Sequence, residues 1–236
     1  MHPRMLAVDG GCSGGTCPAV YDLTDMSGQL LVRGKNADAY QGSPPGRAAD
    51  ESDVAISRAL VAEALRPADE PVDLAGLMAE LETFSYSAFR LEALQHYEGT
   101  GRDEGWEALV KAGRRFSSKT FQRVHVLIEP LTAAMQQEVT EGYGPNVAAG
   151  EDIGIIVCAE GDWPHDIPRH DFWLFDGSRL YEMDYHPDGS WAGARRVRDP
   201  ERFTGACLAR EAALYRAASW HTYIAGRPDL KRRLAQ

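Results

Sequence analysis

No stretch of this 236-residue chain approaches the roughly 18 to 20 continuous apolar residues that a membrane-spanning helix requires. The amino-terminal MHPRMLAVDGGC carries too short an apolar run for a secretory signal. Cysteine is scarce, and four thiols without an export signal do not make a disulfide framework. Together these absences predict a cytoplasmic protein. Basic charge is also in short supply: 25 Lys and Arg against 35 Asp and Glu leave a formal charge of -10. Such a surface repels polyanions at long range, so broad docking to duplex nucleic acid is not expected. Internal repeats, low-complexity tracts and catalytic motifs with a low false-positive rate are all missing, and no cofactor is expected.

What is present begins with three consecutive strands near the carboxyl end, HDFWLFDG, SRLYEMDYHPDG and SWAGARRVR, residues 170–198. Asp176-Gly177 and Asp188-Gly189 join them, and both pairs suit tight hairpins, so the segment predicts an antiparallel meander. Phe121 to Ile128 alternates as a strand, with Val124, Val126 and Ile128 on one face and Phe121, Arg123, His125 and Leu127 on the other. Ile153 to Cys158 has the continuous apolar character of a central strand, and Ser87 to Leu94 alternates. Helices are expected from Leu74, capped by Asp73, to about Glu82, from Arg102 to Arg114, from Leu131 to Glu141, and from Pro200 to about Ile224. Gly142 to Gly150 reads as a loop, and the basic last ten residues as a frayed end or short helix.

The fold class that follows is α+β: a mixed sheet with flanking helices, closed by the meander. A small amino-terminal unit over residues 1–66 precedes it, with a hairpin of Pro18–Asp22 and Leu30–Arg33, a strand at Val54, and a helix from Ser57 to about Leu65. Residues 67–72, rich in proline and charge, read as the linker to a main domain over 73–236.

Three places draw attention as candidate sites. The glycine-rich Gly10-Gly-Cys12-Ser-Gly-Gly-Thr-Cys17-Pro18 brings two thiols close in sequence. Cys12 and Cys17 could form a redox-sensitive pair or simply lie in a turn; a metal site lacks two further ligands nearby, and a phosphate loop lacks its Gly-Lys-Ser/Thr ending. A basic belt of Lys111, Arg114, Arg115, Lys119 and Arg123 has no carboxylate between Glu107 and Glu129, which suits either a bound phosphate or the solvated end of a helix. The third is a set that strand parity would gather: Arg123, His125 and Glu129, joined by His170, Asp171 and Asp176 if their strand lies beside that of Phe121. Its plainer reading is that Asp176 makes the turn and Arg123 pairs across the sheet. The tryptophans and the meander's tyrosines are divided between core and a pocket or oligomer interface.

Ser87-Ala-Phe-Arg-Leu-Glu92, Val126-Leu-Ile-Glu-Pro-Leu131, Asn146-Val-Ala-Ala-Gly-Glu-Asp-Ile153 and His170-Asp-Phe-Trp-Leu-Phe-Asp176 are similar, in order and spacing, to an actinobacterial family of unknown function. Separately, Cys12 to Tyr21, continuing to Lys35, resembles short actinobacterial proteins of equal obscurity. Both kinds are often encoded beside helix-turn-helix regulators, so the resemblance implies such a regulator as partner, with a homodimer as a further option. His170 to Leu180 also resembles one half of a phospholipase-D-like site, but the lysine is missing and the spacing is short, which argues against that activity.

Two functional readings result. The first is a non-enzymatic regulatory or interaction protein of a regulatory or specialised-metabolism locus. The second is a small-molecule or phosphate-ester enzyme, such as a nucleotide- or aminoacyl-tRNA-dependent transferase, with His125, Glu129, His170 and Asp171 as catalytic candidates and Arg114, Arg115, Lys119 and Arg123 as binding residues.

Overall fold

The computed structural model describes residues 4–8, 19–22, 30–33, 35–36, 54–55, 68–98 and 103–234. Cys12, Cys17 and the helix expected after Ser57 lie outside them. The chain divides into two compact units, Met1–Pro67 and Ala68–Gln236.

In the first unit, β1 (Arg4–Val8), β2 (Ala19–Asp22) and β3 (Leu30–Arg33) form an antiparallel sheet in that order, so the expected hairpin gains a strand at its start. The strand expected at Val54 does not join this sheet. It is β5 (Val54–Ala55), paired with β4 (Lys35–Asn36).

The second unit is α+β around an eight-stranded mixed sheet. Its strands are β6 (Glu70–Val72), β7 (Ser87–Glu92), β8 (Thr120–Glu129), β9 (Asp152–Ala159), β10 (Phe172–Phe175), β11 (Arg179–Tyr185), β12 (Trp191–Val197) and β13 (Ala218–Ser219), in the order β13-β9-β8-β7-β10-β11-β12-β6. Strands β7, β8 and β9 run parallel to one another; every other pairing is antiparallel. The meander forms as expected, and Asp176 (φ 52°) and Gly177 (φ 59°) take the two positive angles of its first hairpin. Glu70–Val72, read as linker, is instead an edge strand, a place where Pro71 need not donate to a ladder.

Helix α1 (Leu74–Thr83) starts at Asp73, whose carboxylate accepts from the Gly76 amide at 2.8 Å. Helix α2 (Glu104–Ser117) crosses over from β7 to β8. The connection from β8 to β9 is α3 (Ala133–Gln137), one π turn (Glu138–Gly142) and α4 (Tyr143–Ala149). The expected loop over 142–150 is therefore mostly helix, and α3 begins after Thr132 rather than at Leu131. The widened turn ends three residues before Pro145, whose ring and missing N–H disturb a regular ladder, and Gly150 (φ 110°) ends the helix.

The expected final helix is also two: α5 (Pro200–Arg216) and α6 (Trp220–Ala225), separated by β13, with α7 (Pro228–Leu234) after them. Ser219 caps α6, and Ala217 lies so close to Gly154 that a Cβ there would stand 2.7 Å from its own. That contact holds the break against the sheet.

Helix α5 covers one sheet face through Ala206, Ala209 and Ala213, small side chains that let it approach Phe89, Val124, Val126 and Leu174. The opposite face is split. Helices α1 and α2 pack on Phe121, Trp173 and Phe175, while α3, the π turn, α6 and α7 pack on Leu127, Ile153 and Ile155. Both faces of β8 are thus covered, and Arg123 and His125 are buried with it. Among the described residues no helix is long and apolar enough to cross a membrane.

Candidate functional site

Parallel pairing sets Arg90 of β7 in register with Arg123 of β8, and Glu92 with His125. All four project toward the face carrying α1, α2 and α4. Two adjacent guanidiniums repel, so the carboxylate of Glu92 holds the strip together: its Oε1 lies 2.8 Å from Arg90 Nη2 and 3.4 Å from Arg123 Nη1. Burial would raise the pKa of Glu92, but the guanidiniums of Arg123 and Arg90 outweigh it and bring it to about 2.

Arg123, 4% exposed, is also gripped by Glu151, with Nε to Oε1 at 2.9 Å and Nη2 to Oε2 at 3.2 Å. This fork-to-fork pair is the geometry arginine offers a carboxylate best. Glu151 gets its position from the left-handed Gly150, which turns the chain so that the Glu151 amide donates to the Asn146 carbonyl at 3.0 Å. Trp106 of α2 adds an indole N–H to Glu151 Oε2 at 2.7 Å.

His125 is fully buried, and both ring nitrogens are engaged: Nε2 with the Leu94 carbonyl at 2.8 Å, Nδ1 with the Tyr143 hydroxyl at 2.5 Å. A carbonyl accepts only, so Nε2 carries a proton. The Tyr143 hydroxyl also reaches Glu92 Oε2 at 3.0 Å, and its single proton serves either the imidazole or the carboxylate. Burial pushes the His125 pKa down despite the nearby Glu92, which favours the neutral ring and a proton held toward Nδ1.

Asp171 closes the network. Its Oδ1 accepts from the Ala93 amide at 2.7 Å, and its Oδ2 from the Tyr97 and Tyr185 hydroxyls at 2.7 and 3.0 Å. Burial raises its pKa.

A cavity of about 510 Å³ opens over this strip, between the sheet and helices α1, α2 and α4. Trp106, Trp173, Trp191, Tyr97 and Tyr185 give it aromatic walls, and Leu74 and Met78, both exposed, border it on α1. Arg90 lies over the rings of Trp173 and Tyr97, at 5.3 and 6.0 Å. Among the described residues three buried side-chain polar atoms lack a hydrogen-bond partner: Arg90 Nε, Asn146 Oδ1 and Trp191 Nε1. All three residues line this cavity.

Of the sequence candidates, the structure brings together Arg123, His125 and Asp171, the last through Tyr97, whose ring stands 5.9 Å from that of His125. Strand β10 lies beside β7, not beside the Phe121 strand. His170, one residue from Asp171, points to the opposite face, is half exposed, and sits 3.5 Å from Glu182. Glu129 lies at the end of β8, paired with Arg227. Asp176 is a turn residue: burial would raise its pKa, but the amides of Ser85, Ser87 and Tyr86 and the Arg179 guanidinium bring it to about 2.

The basic belt does not converge either. Lys111 pairs with Glu107 at 3.6 Å, and Arg114 and Arg115 are exposed on α2. Lys119 donates to the Glu82 carbonyl at 2.9 Å, and Arg123 belongs to the buried strip. Sequence reasoning missed Arg90, Glu92, Tyr97, Trp106, Tyr143, Asn146 and Glu151 as site residues. The signal for two of them was present, since Arg90 and Glu92 place charges on alternate positions of a strand whose intervening residues are apolar. Among the described residues no group of three or more His, Cys, Asp or Glu is arranged to hold a metal ion.

Residues 102–225, from the start of α2 to the end of α6, match Domain of unknown function (DUF6879). The chain belongs to the DUF6879 family. The DUF6879 segment supplies Arg123, His125, Tyr143, Asn146, Glu151 and Asp171, whereas Arg90, Glu92 and Tyr97 precede it. No curated protein matches the chain. Among solved structures it is similar to a phospholipase D family member, Nuc, from Salmonella typhimurium, at 9% identity and a TM-score of 0.42, covering 64% of this chain and 97% of that one.

Proposed function

We propose that the second unit is a ligand-binding module of a regulatory protein and does no chemistry of its own. The observation that carries this reading is the cavity of about 510 Å³ over the buried strip, lined by Arg90 and Glu92 together with five aromatic side chains. The acidic balance of the chain, formally -10, suits docking to a protein partner such as a helix-turn-helix regulator better than to duplex DNA.

A catalytic reading has one observation in its favour, the His125–Tyr143–Glu92 chain, in which Glu92 faces the cavity and could exchange a proton with a ligand. Against it, His125 itself does not line the cavity, and Glu129 and His170 lie elsewhere. Binding is the simpler use of this arrangement.

Incubating the full chain with a fractionated small-molecule and peptide extract, then measuring mass under native conditions, tests the proposal. A one-to-one adduct is expected, lost in Arg90→Met and Asn146→Leu variants that keep the parent melting temperature. No adduct, or an adduct indifferent to both substitutions, refutes it.

A further inference from the structure

We infer that the cavity takes a flat, uncharged fused-ring compound carrying a carbonyl-type acceptor; this rests on the reading of the cavity as a binding site. The first argument is what the walls offer. Trp106, Trp191, Tyr97 and Tyr185 are each only half-buried, and both tyrosine hydroxyls are already committed to Asp171. What these side chains leave for an occupant is ring surface, which favours another ring beyond the gain from apolar burial alone. The volume, about 510 Å³, lies within the roughly 300–1,000 Å³ of small-molecule sites.

The second argument is the polar contact still open. Arg90 has Nη2 on Glu92 and its Nε enclosed, yet its side chain is 21% exposed. Among the described residues Nη1 meets no acceptor, and it is not one of the enclosed atoms, so it is the nitrogen that a ligand can reach. A guanidinium nitrogen only donates, and the ligand must therefore supply an acceptor. Because Arg90 lies over the Trp173 and Tyr97 rings, an acceptor that meets Nη1 belongs to a molecule set among the same aromatic walls.

The third argument is charge. Arg123 is gripped by Glu151 and shares Glu92 with Arg90, so the strip sets two carboxylates against two guanidiniums before Asp171 is counted. No surplus of positive charge remains to hold a phosphate or a carboxylate. A cation is disfavoured for the opposite reason, since against the aromatic walls it would stand beside the Arg90 guanidinium. A neutral acceptor meets neither objection.

The test is titration calorimetry on the full chain with five probes: acridone, which is flat, neutral and bears a carbonyl; carbazole, which lacks that acceptor; acridone-4-carboxylate; cationic proflavine; and a dicyclohexyl amide, which is neutral but not flat. Acridone is expected to bind one to one, about tenfold or more tighter than each of the others. Arg90→Met should erase its margin over carbazole while leaving carbazole unchanged, and Trp191→Leu should weaken both by about fivefold or more. Both variants are checked for unchanged melting temperature, and the ranking in the parent protein decides the ligand class even where a variant fails to fold. Equal or tighter binding of a charged probe, of the aliphatic amide or of carbazole by the parent would overturn the assignment while leaving a binding cavity. Absence of acridone binding would overturn it too, and the extract experiment then decides separately whether the cavity binds anything.

Discussion

Replacing Arg123 by methionine removes the one cation that Glu151 and Glu92 share while keeping an apolar side chain of similar length. Arg123 and Glu151 are 4% and 2% exposed, so the variant leaves a carboxylate buried without its fork of donors. Breaking a buried ion pair from one side costs about 3–5 kcal/mol, because the remaining charge is stranded. In a unit of this size that is about 6–20 °C in melting temperature. All five tryptophans lie beyond residue 100, so urea unfolding followed by tryptophan fluorescence reports on the second unit alone. The pH dependence has a defined sign. Glu92 has a folded pKa of about 2 against an ordinary 4.5, so the stability it contributes is complete above pH 4.5 and is lost as pH falls toward 2. Arg123 is the foremost cation behind that depression, so parent and variant should be furthest apart at neutral pH and converge in acid. Adding Glu151→Gln to Arg123→Met should recover part of the loss, since the stranded charge is gone. A loss below about 1 kcal/mol, or no recovery in the double variant, would refute the claim that these residues act as one buried network.

Asp176→Asn should cost about 2 kcal/mol at neutral pH, since an amide cannot accept on both sides from the Ser85, Tyr86 and Ser87 amides and Arg179. The folded pKa of Asp176 is about 2 against 3.8, so that difference should shrink as pH falls from about 4 to 2, readable by urea unfolding across that range. Gly189→Ala should destabilise by about 2 kcal/mol or more, because its φ of 83° is strained for alanine and the new Cβ would stand 2.7 Å from the His96 carbonyl oxygen. Gly177→Ala, with φ 59° and open space around it, should lose only about 1 kcal/mol, and equal losses at the two glycines would count against the clash. His170→Ala should leave binding to the cavity unchanged, since that side chain sits on the opposite face.

The meander and β8 were legible because turn residues and a two-residue period act over a few positions. Asp176 and Gly177 take the angles their types allow, and Val124 and Val126 face α5 as their parity requires. Helix α4 was not legible, since Gly142, Gly144, Pro145 and Gly150 mark a loop by composition, and a π turn that absorbs the proline has no sequence signature of its own. The break at Ala217 was hidden for the opposite reason. No glycine or proline marks it, and it depends on a close approach to Gly154, sixty-odd residues away. For the site, parity placed Arg123 with His125 but could not supply the strand order that puts β7 beside both β8 and β10. The same parity argument excludes His170 as a companion of Asp171, because neighbours on a strand point to opposite faces. The residues that hold the strip together, Glu92, Tyr143 and Glu151, are 51 and 8 positions apart in sequence and meet only through the two crossovers.

A buried polar strip needs a reason, because a well-packed apolar replacement is often as stable or more so. One reason is uniqueness of fold, and on that account the strip should be satisfied throughout. Its interior nearly is: His125 Nε2, Glu92 Oε1, both Glu151 oxygens and both Asp171 oxygens have partners, while His125 Nδ1 and Glu92 Oε2 share the single Tyr143 proton. The remaining unpaired polar atoms, Arg90 Nε, Asn146 Oδ1 and Trp191 Nε1, are themselves enclosed, on residues that line the cavity. Fold specification gives no account of why this strip lies beneath an open cavity with aromatic walls. A ligand does, and it also accounts for the rest of the strip, whose paired carboxylates hold Arg90 and Arg123 at a fixed height beneath the aromatic walls. Substituting Glu92→Gln is the sharpest separation of the two ideas. It keeps the side-chain shape but withdraws the charge that orients Arg90, so ligand affinity should fall by more than the loss of any one hydrogen bond at the cavity. Equal affinity in parent and variant would leave fold specification as the strip's only role.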